Sequence, residues 1–265
     1  MGGEGLKHTR VGLILISVIL LFAVSGFIYT PHDPEKIAVL ERFQPPSAGH
    51  WLGTDNLGRD VFSRLAVGGR WSLLVGGLGV LVGGSIGTLL GAASGFFGRS
   101  IDEILMRGAD GMYAFPTILV ALLAVTVLGP GSQAVLIAVA LGNVPIFMRL
   151  ARNQILKIKT EPFVEAARAL GASEPRILFR HIIPNAGPVL AVQGAVSLAG
   201  AILAEASLSY LGVGIQPPDP SWGRMLREAQ SFAGLAPWAI LAPGILIAGT
   251  VLGFNLIGDH YSQGR

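Results

Sequence analysis

The residues that could do chemistry in this chain of 265 are few and scattered. Cysteine is absent, which excludes disulfides, thiolate zinc sites and a cysteine nucleophile. The five histidines, His8, His32, His50, His181 and His260, form no HExxH or similar ligand spacing, so no metal site is expected. None of Lys7, Lys36, Lys157 and Lys159 follows a glycine, so the chain has no phosphate-binding P-loop. No serine with a histidine partner stands out, and no catalytic residue is expected. Two groups retain interest. Glu205, followed by Ser207, Ser209 and Tyr210, sits in apolar sequence. A carboxylate there either lines a polar path or reaches interfacial water. Glu205 and Ser209 are therefore candidate path or gate residues, with Asn255 of the last apolar run. The second group is the polar stretch Thr160–Pro188.

The elements that position these groups are read from where charge is missing. The chain has 19 basic and 16 acidic residues, 13% charged, and 51% hydrophobic, with mean hydropathy +0.61. A soluble domain carries about 25% charged residues, so this chain cannot cover a soluble surface. Abundant apolar residues exclude disorder, and glycine without a three-residue period excludes collagen. A net charge of +3 gives no reason to invoke nucleic acid. Charge-free gaps run from Val11 to His32, Trp71 to Gly98, Gly111 to Met148, His181 to Ala204 and Ala229 to Gly258. A span needs about 20 apolar residues. The third gap is long enough for two spans, with Gly129-Pro130-Gly131 as the turn. Six transmembrane helices are expected, near 11–29, 72–97, 112–128, 133–149, 187–206 and 238–257, in an all-α integral membrane protein. Lys7, Arg10 and Ala23-Val24-Ser25 have signal-peptide character. The apolar run exceeds the usual length of about 7–15 residues, so an uncleaved first helix is expected.

With a cytoplasmic N-terminus, 12 Lys and Arg fall on the cytoplasmic side and 7 outside. The bias comes from the loop near 150–186 and places both termini in the cytoplasm. Gly79, Gly83, Gly87, Gly91 and Gly95 repeat every four residues, which makes a side-chain-free groove for another helix. In the loop, Thr160 is a cap candidate, with Glu161 and Pro162 suited to a first turn. Phe163, Ala167 and Leu170 form an apolar stripe, and Gly171 supplies a left-handed stop. Ser173 starts a second helix bearing Arg176 and Arg180, and Pro184 ends it or opens the fifth span. A slim, rigid helix outside the membrane suits a partner's groove.

Glu165-Ala166-Ala167, Gly171 and Ile183-Pro184 resemble the EAA loop of permeases from ATP-binding-cassette importers. The stretch 50–64, Phe115-Pro116, the run 204–214, Gln216-Pro217-Pro218, Pro220-Ser221-Trp222-Gly223 and 254–259 resemble the C-type dipeptide and oligopeptide permeases. The resemblance covers residues 31–259. It departs at His181 and Ile183, and in a short tail 260–265 where the family continues longer. It implies a MetI-like fold. Residues 1–29 would be the N-terminus and first helix, 30–70 an extracytoplasmic loop, and 71–265 a five-helix core with its coupling loop at 150–186. It implies a non-enzymatic subunit in a bacterial or archaeal inner membrane, surrounded by lipid. Its partners would be a B-type permease, two ATPase subunits holding ATP and Mg, and an extracytoplasmic binding protein. Glu165, Ala166, Ala167, Arg168, Leu170, Gly171 and Pro184 would couple to the ATPase. Arg59, Asp60, Pro217 and Trp222 would form the docking layer for the binding protein. Dipeptide or oligopeptide is the expected cargo, with nickel, a nickel chelate, glutathione or a sugar still open. A transporter or channel acting alone lacks support, because relay residues inside the spans are missing.

Overall fold

The computed structural model describes residues 2–263, and side chains from 9 to 258. The side chains of Lys7, His8, Asp259 and the tail 260–265 lie outside the described residues. The architecture is all helical. Helix α1 (Gly2–Ile28) packs on α2 (Val61–Phe97) and on the last helix, α10 (Pro237–Gln263). Ile16, Ile19 and Ala23 of α1 are buried, so this helix is part of the bundle.

Helix α2 starts eleven residues before the expected 72. Asp60 caps it, accepting the Ser63 N–H at 2.8 Å, and Val61, Leu65 and Ala66 bury the first turns. The expected outer loop 30–70 therefore ends at Asp60, and Arg64 and Arg70 stand on a helix.

The expected single helix 112–128 is not formed. Helix α3 (Arg99–Tyr113) and α4 (Thr117–Leu128) meet at an 85° bend. Pro116 explains the break, since it disfavours helical backbone at Phe115. With Asp102, Glu103, Arg107 and Asp110, α3 is too charged to cross hydrocarbon. The twelve residues of α4 span about 18 Å. Among the described residues five helices are long and apolar enough to cross a membrane, and the bent pair makes six.

Helix α5 (Ser132–Ile158) runs parallel to α2, and the glycine groove receives it. A side chain at Gly83, Gly87 or Gly91 would strike the carbonyl oxygens of Ala140, Val144 or Met148. One at Gly95 would come within 2.8 Å of the Arg152 oxygen. These glycines are required by close backbone approach, as their spacing predicts.

Helix α5 continues nine residues beyond the expected 149, so part of the expected loop 150–186 is a rod. Its basic residues find partners there. Arg149 donates to Asp110 at 2.6 Å, Arg152 clasps both Asp102 oxygens, and Lys159 donates to the Gly95 carbonyl at 2.9 Å. After α6 (Pro162–Ala169), α7 (Glu174–Ile177) passes through a π turn at Leu178–Ile182 into α8 (Ile183–Leu211). The second helix expected in the loop 150–186 is thus the front of the span that α8 continues, and Pro184 lies in the first turn of α8. A cis Pro217–Pro218 turn leads to α9 (Trp222–Ala229) and then to α10.

Candidate functional site

The best-built candidate lies at the bundle end where α2 and α5 terminate. Helix α6 stops in a Schellman motif: Gly171 donates to the Arg168 carbonyl and Ala172 to the Ala167 carbonyl, at 3.0 and 3.1 Å. Gly171 has φ of +81°, so the stop needs glycine. The cap at the other end differs from expectation. Glu161 occupies the cap position, and the Thr160 hydroxyl turns back to donate to the Lys157 carbonyl. Arg168 donates to both Glu174 oxygens at 3.0 and 3.2 Å, tying α6 to α7.

Which face of α6 is buried also differs from the expected stripe. Val164 is fully buried against a cluster with Ala92 of α2, Ile155 and Ile158 of α5, Ile177, Ile182 and Ala186. Ala167 and Ala172 pack beside it. Phe163 points outward, and Leu170 is 88% exposed. The stripe Phe163–Ala167–Leu170 thus splits, one member inward and two outward. Val164 was missed because one valine among alanines leaves no periodic signal. Glu165, Ala166 and Arg168 of the same helix are exposed as well, and so is Pro184 of α8. The result is a slim helix fixed to three long helices by one buried residue, offering an apolar edge and mixed charge.

Asp102 stabilises the adjacent corner. It accepts from Ser94 and from Arg152, and these bonds, Arg152 first, hold its carboxyl at about 2, below the ordinary carboxylate range. This clasp joins α3 to α2 and α5.

At the opposite end, the segment before α2 meets the turn before α9. Arg59 and Arg64 both donate to one Glu228 oxygen at 2.9 Å, and Arg224 donates to the other at 2.8 Å. Arg59 also clasps Asp55 at 2.7 Å. A cavity of about 500 Å³ opens there, lined by Glu35, Asn56, Arg59, Arg64, Pro217 and Glu228 among others. Asn56 Oδ1 and Arg64 Nη1 are buried with no hydrogen-bond partner.

The structure corrects several assignments at this end. Asp60 is buried as the cap of α2, and Trp222 is fully buried, donating to the Leu65 carbonyl at 3.0 Å. Neither can touch a docking protein. Arg59 is mostly enclosed by its ion pairs, and Pro217 alone of the four is exposed. Glu205 and Ser209 are buried too. Ser209 donates to Glu205 Oε1 at 2.7 Å, and its oxygen also accepts the Ile215 N–H. These two residues brace α8 against the following turn and line no path in this chain. Asn255 is half-buried, and its side chain makes no hydrogen bond among the described residues.

Comparison with known proteins agrees with this architecture. Residues 87–264 match the family described as "Binding-protein-dependent transport system inner membrane component". The chain is 45% identical over 253 residues to the dipeptide transport system permease protein DppC of Alkalihalophilus pseudofirmus, covering 96% of this chain and 83% of that protein. It is 43% identical over 256 residues to the glutathione transport system permease protein GsiD of Pectobacterium atrosepticum, covering 96% and 85%. Its fold resembles a chain of an inward-facing MetNI methionine ABC transporter, with TM-score 0.62 and 20% identity, covering 76% of this chain and 95% of that one. The five or six apolar spans, the glycine-seamed α2–α5 pair and the helix-turn-helix around Gly171 are thus parts of a MetI-like permease, and the chain belongs to the family of inner-membrane components of binding-protein-dependent ABC importers.

Proposed function

We propose that this chain is the permease that carries short peptides across the membrane and that α6 transmits ATPase motion to it. The single observation behind the coupling role is the mounting of α6: Val164 locks it to α2, α5 and α8, while Phe163 and Leu170 stay uncovered. A helix fixed in this way moves as one body with the spans. Force on its exposed face tilts the bundle and does not merely bend a loop. Such rigid-body switching changes which side the path opens to.

In this reading Glu165, Ala166, Ala167, Arg168, Leu170 and Gly171 sit in a cleft of a cytoplasmic ATPase subunit, and Pro184 fixes the entry into α8. Two such subunits hold ATP and Mg, and a B-type permease completes the path. Both termini face the cytoplasm. The Arg59–Glu228 end then faces outward, where exposed Pro217 and the rim of the cavity meet the binding protein. Peptide cargo follows from the names of the relatives, which include dipeptide and glutathione permeases.

The test is the assembled complex in vesicles. Gly171→Pro destroys the left-handed stop and one capping N–H, and Glu165→Lys reverses charge on the exposed face. Both variants should insert and assemble, yet lose substrate-stimulated ATP hydrolysis. Full stimulation in both sinks the coupling role. A copurified binding protein loaded with nickel would overturn peptide cargo.

A further inference from the structure

Three donors separated in sequence converge beside the N-terminus of α2. The ligand atoms of His32, His50 and Asp60 all lie within 4.8 Å of one another. We propose that they bind a divalent transition-metal cation of the zinc class, and that the ion clips the α1–α2 connection closed.

The hydrogen bonds leave His32 Nδ1 unused and pair His50 Nδ1 only with Asp60 Oδ1. Asp60 Oδ2 is spent on the Ser63 N–H and hydroxyl, at 2.8 and 2.7 Å, which leaves Oδ1 turned to His50 Nδ1 at 2.9 Å. His32 Nε2 lies 2.7 Å from the Gly49 carbonyl. A carbonyl only accepts, so that nitrogen carries the ring proton and Nδ1 keeps a lone pair. His50 Nε2 faces the Glu41 carboxylate at 3.7 Å. The 2.9 Å contact between His50 Nδ1 and Asp60 Oδ1 is a hydrogen bond with the ring proton on Nδ1, and 3.7 Å to Glu41 is too long for a second one. A cation between Nδ1 and Oδ1 takes the place of that proton, and the imidazole then carries its proton on Nε2, on the Glu41 side. Glu41 then acts as the outer carboxylate that orients a ligating imidazole.

The donor set identifies the ion. Two imidazoles and one carboxylate suit Zn²⁺ or Ni²⁺, whereas Mg²⁺ and Ca²⁺ prefer oxygen. Ligand bonds of about 2.0–2.2 Å need donors about 3.0–3.5 Å apart. The His50–Asp60 pair is already near that separation. His32, on the surface with its ring tilted against that of His50 at a centroid distance of 4.5 Å, must swing inward to close the set. Three protein ligands leave a coordination position for water. Asp60 and Glu41 balance the charge of the ion. The spacings of 18 and 10 residues match no ligand motif, which is why the sequence alone predicts no metal here.

The ion would join the residues just after α1 to the cap of α2. That makes it a clip for the same segment that carries Arg59 and Asp55.

The test uses the full chain, purified in detergent without a polyhistidine tag, stripped with chelator and held at pH 7.5. It is titrated with Zn²⁺ by calorimetry and with Co²⁺ by visible absorption. The expected result is one equivalent bound at micromolar Kd or tighter, unaffected by millimolar Mg²⁺. His32→Ala and the gentler His32→Gln, which can still donate to Gly49, should each weaken binding at least tenfold. His181→Ala should change nothing, and metal-free melting curves should match for all four proteins. No saturable binding below about 100 μM would overturn the proposal. So would binding unchanged in both His32 variants, which would leave a His50–Asp60 pair sharing a proton.

Discussion

Replacing Gly83 by alanine adds one methyl group where α2 meets α5. A methyl there collides with the Ala140 carbonyl oxygen and lies 2.9 Å from the carbonyl carbon and 3.0 Å from Cα of that residue. Ordinary carbon contacts are about 3.5–4.0 Å. Backbone cannot rotate away as a side chain can, so α5 must retreat by about 0.5–1 Å, enough to forfeit a quarter to a half of each contact well. The loss spreads along the seam from Gly79 to Gly95. Overpacking of this kind costs about 1–3 kcal/mol, or roughly a 5- to 150-fold shift in the folding equilibrium. Gly77→Ala is the matched control, since it lies on the same helix with nothing within 4 Å of its added methyl. The assay is thermal or SDS-induced unfolding of the purified chain in mild detergent. Gly83→Ala should unfold clearly earlier than wild type, and Gly77→Ala at or above it, because alanine favours helix over glycine. If Gly83→Ala unfolds with wild type, or both variants fall equally, the close-packed seam is refuted.

Two further outcomes follow from the ends of the bundle. Asp102 has a carboxyl held at about 2 against an ordinary 3.8, so its contribution to stability is complete above the unfolded value and is lost as pH falls through the folded one. The melting difference between wild type and Asp102→Asn should therefore hold from pH 7 to 5 and shrink between about 4 and 2; a difference unchanged at the acid end contradicts the Arg152 clasp. Trp222→Ala empties a fully buried site that also binds the Leu65 carbonyl, and should cost about 3–5 kcal/mol, seen as collapsed yield and melting temperature. Pro217→Ala, on the surface, should melt like wild type.

Much of this fold was legible because membrane segments obey simple rules. Charge gaps located the spans, and the four-residue glycine repeat located the α2–α5 seam. Gly171 announced its own left-handed stop. The misses share a cause, which is that tertiary partners override local pattern. Arg152 reads as a loop residue, yet α5 carries it onward because Asp102 of α3 meets it. The bend before α4 had a signal in Pro116 and in the charges of α3, which the long apolar gap after Gly111 outweighed. Asp60, Glu205 and Trp222 looked like surface or path residues. Their hydrogen bonds reach Ser63, Ser209 and Leu65, and no periodicity reveals such burial. Val164 shows the same limit for the coupling helix, because its importance lies in what α2, α5 and α8 bring to it.

The coupling role of α6 is most directly tested by proximity in the assembled transporter. The chain has no native cysteine, so Leu170→Cys places a unique thiol on the exposed edge of that helix. A short bifunctional crosslinker should join it to the ATPase subunit, with the yield changing when a non-hydrolysable nucleotide is added. Crosslinking to the substrate-binding protein instead, or a Pro217→Cys thiol that captures the ATPase subunit, would contradict both the topology and the mechanism.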